Sequence, residues 1–171
     1  MRMCNGWPVS VCSWSFQRDI QGVAAAMEDL DIGYVNLALL PGIQGDRAAY
    51  LDFALAQNWT ISATMINFPC EDYSTLDAIK VTGGLASDAH WPENRKLALD
   101  AIDMTSELET EYLLMHFGFI DHSDPDYVAK VYERARELAD AAHANGVKFL
   151  METGQETAEE LLHFLEEMDH P

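Results

Sequence analysis

Positive charge is scarce in this sequence: 10 Lys and Arg stand against 29 Asp and Glu in 171 residues, a formal net charge of −19. A surface that acidic repels phosphate backbones and anionic headgroups, so a general nucleic-acid binder and a membrane-surface protein are both disfavoured. Cysteine is sparse too. Cys4, Cys12 and Cys70 make an odd count with no Cys-x-x-Cys pair, which argues against a disulfide framework or a zinc knuckle. No apolar run approaches the roughly 18 residues of a membrane span. The opening MRMCNGWPVS leads into no apolar core of a secretory signal. A cytoplasmic location is the expectation, and there the sequon Asn58-Trp59-Thr60 is a chance match. The glycine-rich dinucleotide and P-loop patterns, the GxSxG elbow and the HExxH zinc motif are all absent.

What is present is an alternation of short apolar runs and longer amphipathic stretches. Hydrophobic residues make up 49%, an ordinary globular share, and the length suits one domain over residues 1–171. Strands are expected near 9–16 (VSVCSWSF), 33–40 (GYVNLALL), 59–66 (WTISATMI), 112–117 (YLLMHF) and 147–152 (VKFLME). Asp19, Asp46 and Asp124 each stand where a helix would begin, and Thr157 with Glu160 spells a capping box. The helical faces pair Ile20, Val23, Met27 and Leu30, then Leu97, Ala101, Met104 and Leu108, then Val128, Val131, Ala135, Leu138 and Ala142. The last helix would bury Leu161, Leu162, Leu165 and Met168. Between the third strand and the third long helix lies an irregular stretch, 67–91, of the length that is usually functional or mobile.

Five strand–helix units imply a parallel sheet. Two architectures accommodate them: an open doubly wound sheet, and part of a (β/α)₈ barrel, whose full form takes about 250 residues. In either, ligands bind beyond the C-terminal ends of the strands. Glu152 follows Phe149-Leu150-Met151 directly. A carboxylate ending a buried strand needs a partner, such as a divalent cation or an Arg; the bland alternative is a solvated Glu capping the next helix. His116 ends the fourth run just before Gly118, where an imidazole could touch a substrate oxygen or a metal or sit as a satisfied core histidine. Trp14 could stack on a sugar ring or belong to the core. Thr82-Gly83-Gly84 reads as a plain turn more readily than as a phosphate grip, since no Lys follows it.

The segments Val9–Phe16, Thr82–Gly84 with Trp91-Pro92-Glu93-Asn94, MHFGFI at 115–120 and ETGQE at 152–156 together resemble the xylose isomerase-like TIM-barrel family. The family comprises sugar and sugar-phosphate isomerases and epimerases and is related to apurinic endonucleases. The resemblance implies a barrel with a divalent metal (Mn²⁺, Mg²⁺, Co²⁺ or Zn²⁺) at its C-terminal mouth. It further implies that Glu152 is a metal ligand that takes part in proton transfer, and that His116 lines the substrate pocket, with Gln155 as a further contact. The partner implied is a small-molecule sugar or sugar phosphate.

The family's other ligands come from the sixth to eighth strands, beyond Pro171. The expectation is therefore an N-terminal portion of a longer enzyme, about five units of the barrel. Such a portion would hold metal weakly by itself and would self-associate through open strand edges. It would expose interior residues, with Val11, Leu37, Met65 and Leu114 as candidates. Three rivals stay open: an inactive fragment or half of a two-chain assembly, an endonuclease-like hydrolase that the charge disfavours, and a doubly wound binding module.

Overall fold

The computed structural model describes every residue except Ala86, Thr153, Gln155 and Pro171. A small antiparallel pair comes first, β1 (Met3–Cys4) and β2 (Trp7–Pro8). The main body then runs β3 (Ser10–Cys12), α1 (Ile20–Asp29), β4 (Tyr34–Ala38), α2 (Leu40–Gln44), α3 (Arg47–Leu55), β5 (Thr60–Ile66), α4 (Leu76–Thr82), α5 (Trp91–Glu107), β6 (Tyr112–His116), α6 (Pro125–Ala144), β7 (Lys148–Glu152) and α7 (Ala158–Met168).

Local chemistry sets the helix starts. Asp19, Asp46 and Asp124 accept from the backbone N–H of Gly22, Ala49 and Tyr127 at 2.8, 3.0 and 3.1 Å. Each satisfies a first-turn donor that the helix itself leaves unpaired. At α7 the capping box is complete, with Thr157 and Glu160 each accepting from the other's backbone. Pro92 and Pro125 occupy first turns, where a missing N–H costs nothing.

The strands β3 to β7 form one sheet in chain order, each neighbour parallel. Consecutive order is that of a (β/α)₈ barrel, whereas the doubly wound arrangements reverse order partway. No closed barrel forms among the described residues: β3 and β7 are the two edges. The architecture is a partial TIM barrel.

The Cys12 thiol on β3 is pushed up first by burial and then by the charge of Glu152 on β7.

Register sorts the residues by face. Opposed pairs run Cys12 with Asn36, Ala38 with Met65, Met65 with Leu114, Leu114 with Leu150, and His116 with Glu152. These line the inner, axis-facing side. Val35, Leu37, Ile66, Leu113 and Met115 alternate with them and are buried under the helices. This corrects the expectation for Val11 and Leu37: Leu37 is fully buried and Val11 packs against the same helix-side core. The inner face instead exposes Tyr112 and Leu150. A second correction concerns α7. Phe164 and Met168 carry its packing, while Leu162 and Leu165 stay half exposed. The run LLHFL offers several apolar phases, and the aromatic won because it sits 4.8 Å from the Tyr132 ring of α6.

Candidate functional site

Glu152 and His116 are direct register partners at the C-terminal ends of β7 and β6. The period of two places both side chains on the inner face. Lys148, four residues before Glu152 on the same face, pairs with Glu111 at the opposite end of the strand at 2.6 Å. Glu152 is exposed, so the sequence argument from an expensive buried carboxylate does not apply to it. Its significance lies in position: it makes no hydrogen bond or ion pair with a described residue, beside a histidine that is firmly held.

The residue holding that histidine is Glu71, in the segment after β5. Its carboxylate is 2% exposed and lies 3.1 Å from His116 Nδ1. Glu71 Oε1 also accepts from Gly84 N–H at 3.0 Å, and Oε2 accepts from Phe68 N–H at 3.1 Å. Sequence reasoning passed over Glu71. The available signal was an acidic residue just past a strand end, inside a loop already marked as too long to be idle.

That loop is ordered by specific ties. It contains α4, capped by the Thr75 hydroxyl. Asn94, 1% exposed, donates from α5 to the Gly84 carbonyl at 2.8 Å. Gly83 and Gly84 allow close approach to the end of β6. A Cβ on Gly83 would lie 2.6 Å from His116 Cε1, and one on Gly84 would lie 2.3 Å from the His116 carbonyl oxygen. The Gly84 N–H is committed to Glu71, so this turn has a structural occupation rather than a phosphate-gripping one.

Tyr73, Leu76, Ile79, Lys80, His116, Phe119, Glu152 and Gly154 line a pocket of ≈ 190 Å³. Its electrostatics are acidic. Burial pulls the His116 imidazole down, but the hydrogen bond and charge of Glu71, followed by Glu152 and Glu156, outweigh it and leave the group above its usual value. The Tyr73 phenol is pushed well up by burial and by the charges of Glu71 and Glu152.

Trp14 is not part of this pocket. The expected first strand ends at Cys12, and Ser13–Phe16 turns into a 3₁₀ helix. Trp14 there lines a separate pocket of ≈ 380 Å³ with Ser13, Arg18, Tyr50 and Asn67. Gln155 lies outside the described residues. His90 and His122 do not line the Glu152 pocket.

The donor set suits a hard cation in chemistry but not in number. Glu152 offers an unengaged oxygen pair, whereas Glu71 is used on His116 and two backbone donors, and Glu156 accepts from Ile120 N–H at 3.2 Å. Among the described residues no group of three His, Cys, Asp or Glu is placed to hold a metal. A divalent cation wants about six oxygen ligands, including waters, and among the described residues Glu152 is the one unengaged carboxylate lining this pocket.

An open run of barrel strands with polar side chains gathered at its C-terminal rim defines the class: part of a (β/α)₈ barrel of the kind that carries enzyme sites. The sequence profile of the xylose isomerase-like TIM barrel family matches residues 63–171, and the chain belongs to that family. A xylose isomerase domain protein from Planctomyces limnophilus superposes with a TM-score of 0.82 at 23% identity, covering 96% of this chain and 60% of that one. A xylose isomerase-like TIM barrel protein from Mycobacterium smegmatis, in complex with magnesium, gives 0.68 at 16% identity, with 99% and 64% covered. A D-allulose 3-epimerase from Methylomonas sp., in complex with D-allulose, gives 0.66 at 18% identity, with 95% and 59% covered. The chain thus spans about 60% of the length of its structural relatives. No functionally curated protein matches the sequence.

Proposed function

We propose that this chain carries the Glu152 side of the active site of a divalent-metal-dependent sugar or sugar-phosphate isomerase or epimerase. The observation that supports this reading is the pairing of an unengaged Glu152 with a braced His116 on the inner face, at the strand ends where barrel enzymes react. Structural relatives that are ketose 3-epimerases lend the substrate class. In this reading Glu152 is one of the holders of Mn²⁺, Mg²⁺, Co²⁺ or Zn²⁺, and the other protein ligands come from polypeptide outside these residues. The cation, when bound, supplies polarisation of a substrate carbonyl.

The chain's own residues would then act on a sugar lying across the mouth. Glu152 accepts the proton from the carbon next to the carbonyl, and the His116 ring contacts a substrate oxygen. Gln155 would contact the sugar, and Trp14 would stack at a more distant subsite. The partner is a small sugar or sugar phosphate in the cytoplasm, with neither nucleic acid nor membrane involved. The unpaired edges of β3 and β7 would favour self-association.

The scarcity of ligands supports a second statement: the 171-residue chain alone is catalytically inactive and holds metal weakly. In a polypeptide that completes the barrel, Glu152→Gln should abolish bound metal, read by elemental analysis, and with it the exchange of the substrate proton for solvent deuterium. Retention of both in that variant would remove Glu152 from the mechanism.

A further inference from the structure

We infer that Glu71 is a positioning residue: it clamps the His116 ring with Nδ1–H turned inward and so presents Nε2 to a sugar oxygen beside Glu152. The proposal deepens the sugar-isomerase reading and rests on it for the identity of the ligand, but its structural part stands on this chain alone.

A carboxylate only accepts hydrogen bonds, so Nδ1 at 3.1 Å from Glu71 Oε1 must carry the proton. The neutral imidazole is then bare at Nε2. Glu71 is a rigid anchor. Two backbone N–H groups from separate parts of the loop, Phe68 and Gly84, fix its two oxygens. Its side chain is 2% exposed and that of His116 is 11% exposed. The ring is confined on its Nδ1 side. The Gly83 Cα is packed so closely that a Cβ would sit 2.9 Å from Nδ1, which leaves the ring no room to slide that way. On the other side the position a Gly154 Cβ would take is 3.2 Å from Nε2. Glycine there keeps the space next to Nε2 open. No described residue hydrogen-bonds to Nε2, and His116 and Glu152 share the pocket wall. A lone pair braced from behind and left open in front can receive a hydroxyl proton of a polyol.

The test is the tautomer of His116, read by two-bond ¹⁵N–¹H NMR on the 171-residue chain at a pH where the ring is neutral. The wild-type ring should carry its proton on Nδ1. In Glu71→Gln, which offers one acceptor oxygen where three donors now converge, the commoner Nε2–H form should become populated. An Nε2–H ring in the wild type would overturn the proposal without any variant being needed. An unchanged tautomer in a folded Glu71→Gln would overturn it as well. If Glu71→Gln does not fold, Glu71→Asp serves: a shorter carboxylate should keep the Nδ1–H form with a weakened clamp, and full loss of that form would count against it.

In the complete barrel, Glu71→Gln should lower kcat by about 10²-fold, the scale of a misplaced reacting group, with KM nearly unchanged. An unaltered kcat would refute the positioning role. A wild-type barrel inactive on every ketose, with the Nδ1–H tautomer intact and sensitive to Glu71, would refute the sugar reading and leave the clamp standing.

Discussion

Gly84→Ala is the substitution that most severely tests how the loop supports the site. Gly84 sits at φ +56°, and a Cβ there would meet only backbone: the His116 carbonyl oxygen at 2.3 Å, Phe117 C at 2.3 Å and Gly118 N at 2.4 Å. No flexible side chain can yield, so the loop must move off the end of β6. The left-handed conformation alone costs an alanine about 1–2 kcal/mol. Displacement also breaks the 3.0 Å bond from Gly84 N–H to the Glu71 carboxylate, of a type worth about 1.5–3 kcal/mol. Together these give about 2.5–5 kcal/mol. For a chain of this size that lowers the melting temperature by roughly 5–20 °C. Gly146→Ala is the control. It has φ +71° with nothing within 4 Å of the added carbon, so it should show only the conformational cost of about 1–2 kcal/mol. Thermal unfolding by circular dichroism, read on the two variants and the parent, decides. Equal shifts for the two alanines would refute the close packing of Gly84 on the His116 strand end.

Two further outcomes concern stability. Arg134 is 8% exposed; it donates to the Leu85 carbonyl at 2.5 Å and to Asp88, with its guanidinium 4.9 Å from the Trp91 ring centroid. A lysine cannot reproduce that fork or the stacking, so Arg134→Lys should cost about 1–3 kcal/mol, and an unchanged urea midpoint would contradict it. Tyr127 donates to the Phe119 carbonyl, and burial, followed by Asp121 and Glu156, pushes its phenol up to about 12 from 10.0. The folded form then holds its proton more tightly than the unfolded form. The stabilisation is fully present below pH 10 and is lost as pH rises toward 12. Tyr50, Tyr73 and Tyr132 are shifted in the same direction. The urea midpoint should fall across that window and fall less in Tyr127→Phe; a flat alkaline profile would contradict this.

Much of the fold is written in local signals. Asp19, Asp46, Asp124 and the Thr157–Glu160 pair announce their helices because capping is a short-range interaction. The α5 and α6 faces obey a single period, and their apolar positions are buried as a set. Inner and outer faces of the sheet were harder. Leu37 and Asn36 are adjacent in the chain, and nothing local says which of them faces the axis; a register shift between Val35 and Asn36 against β5 complicates the alternation further. The α7 phase depended on Tyr132, a partner 32 positions before Phe164. At the site, His116 and Glu152 could be singled out because strand ends are recognisable. Their adjacency required knowing that β6 pairs with β7. Glu71 lies 45 residues from His116 and is joined to it only by the way the loop folds back. Sequence spacing carries no trace of that contact.

The central claim is that Glu152, at the inner rim, is a cation-holding carboxylate rather than one more acidic residue on a chain of net charge −19. Paramagnetic broadening by Mn²⁺ of an assigned polypeptide that completes the barrel tests this directly. At low Mn²⁺ the signals of Glu152, His116 and Gly154 should broaden first, and Glu152→Gln should cancel that preference. Broadening that begins instead on exposed acidic helices, with the rim no more affected than they are, would contradict the account.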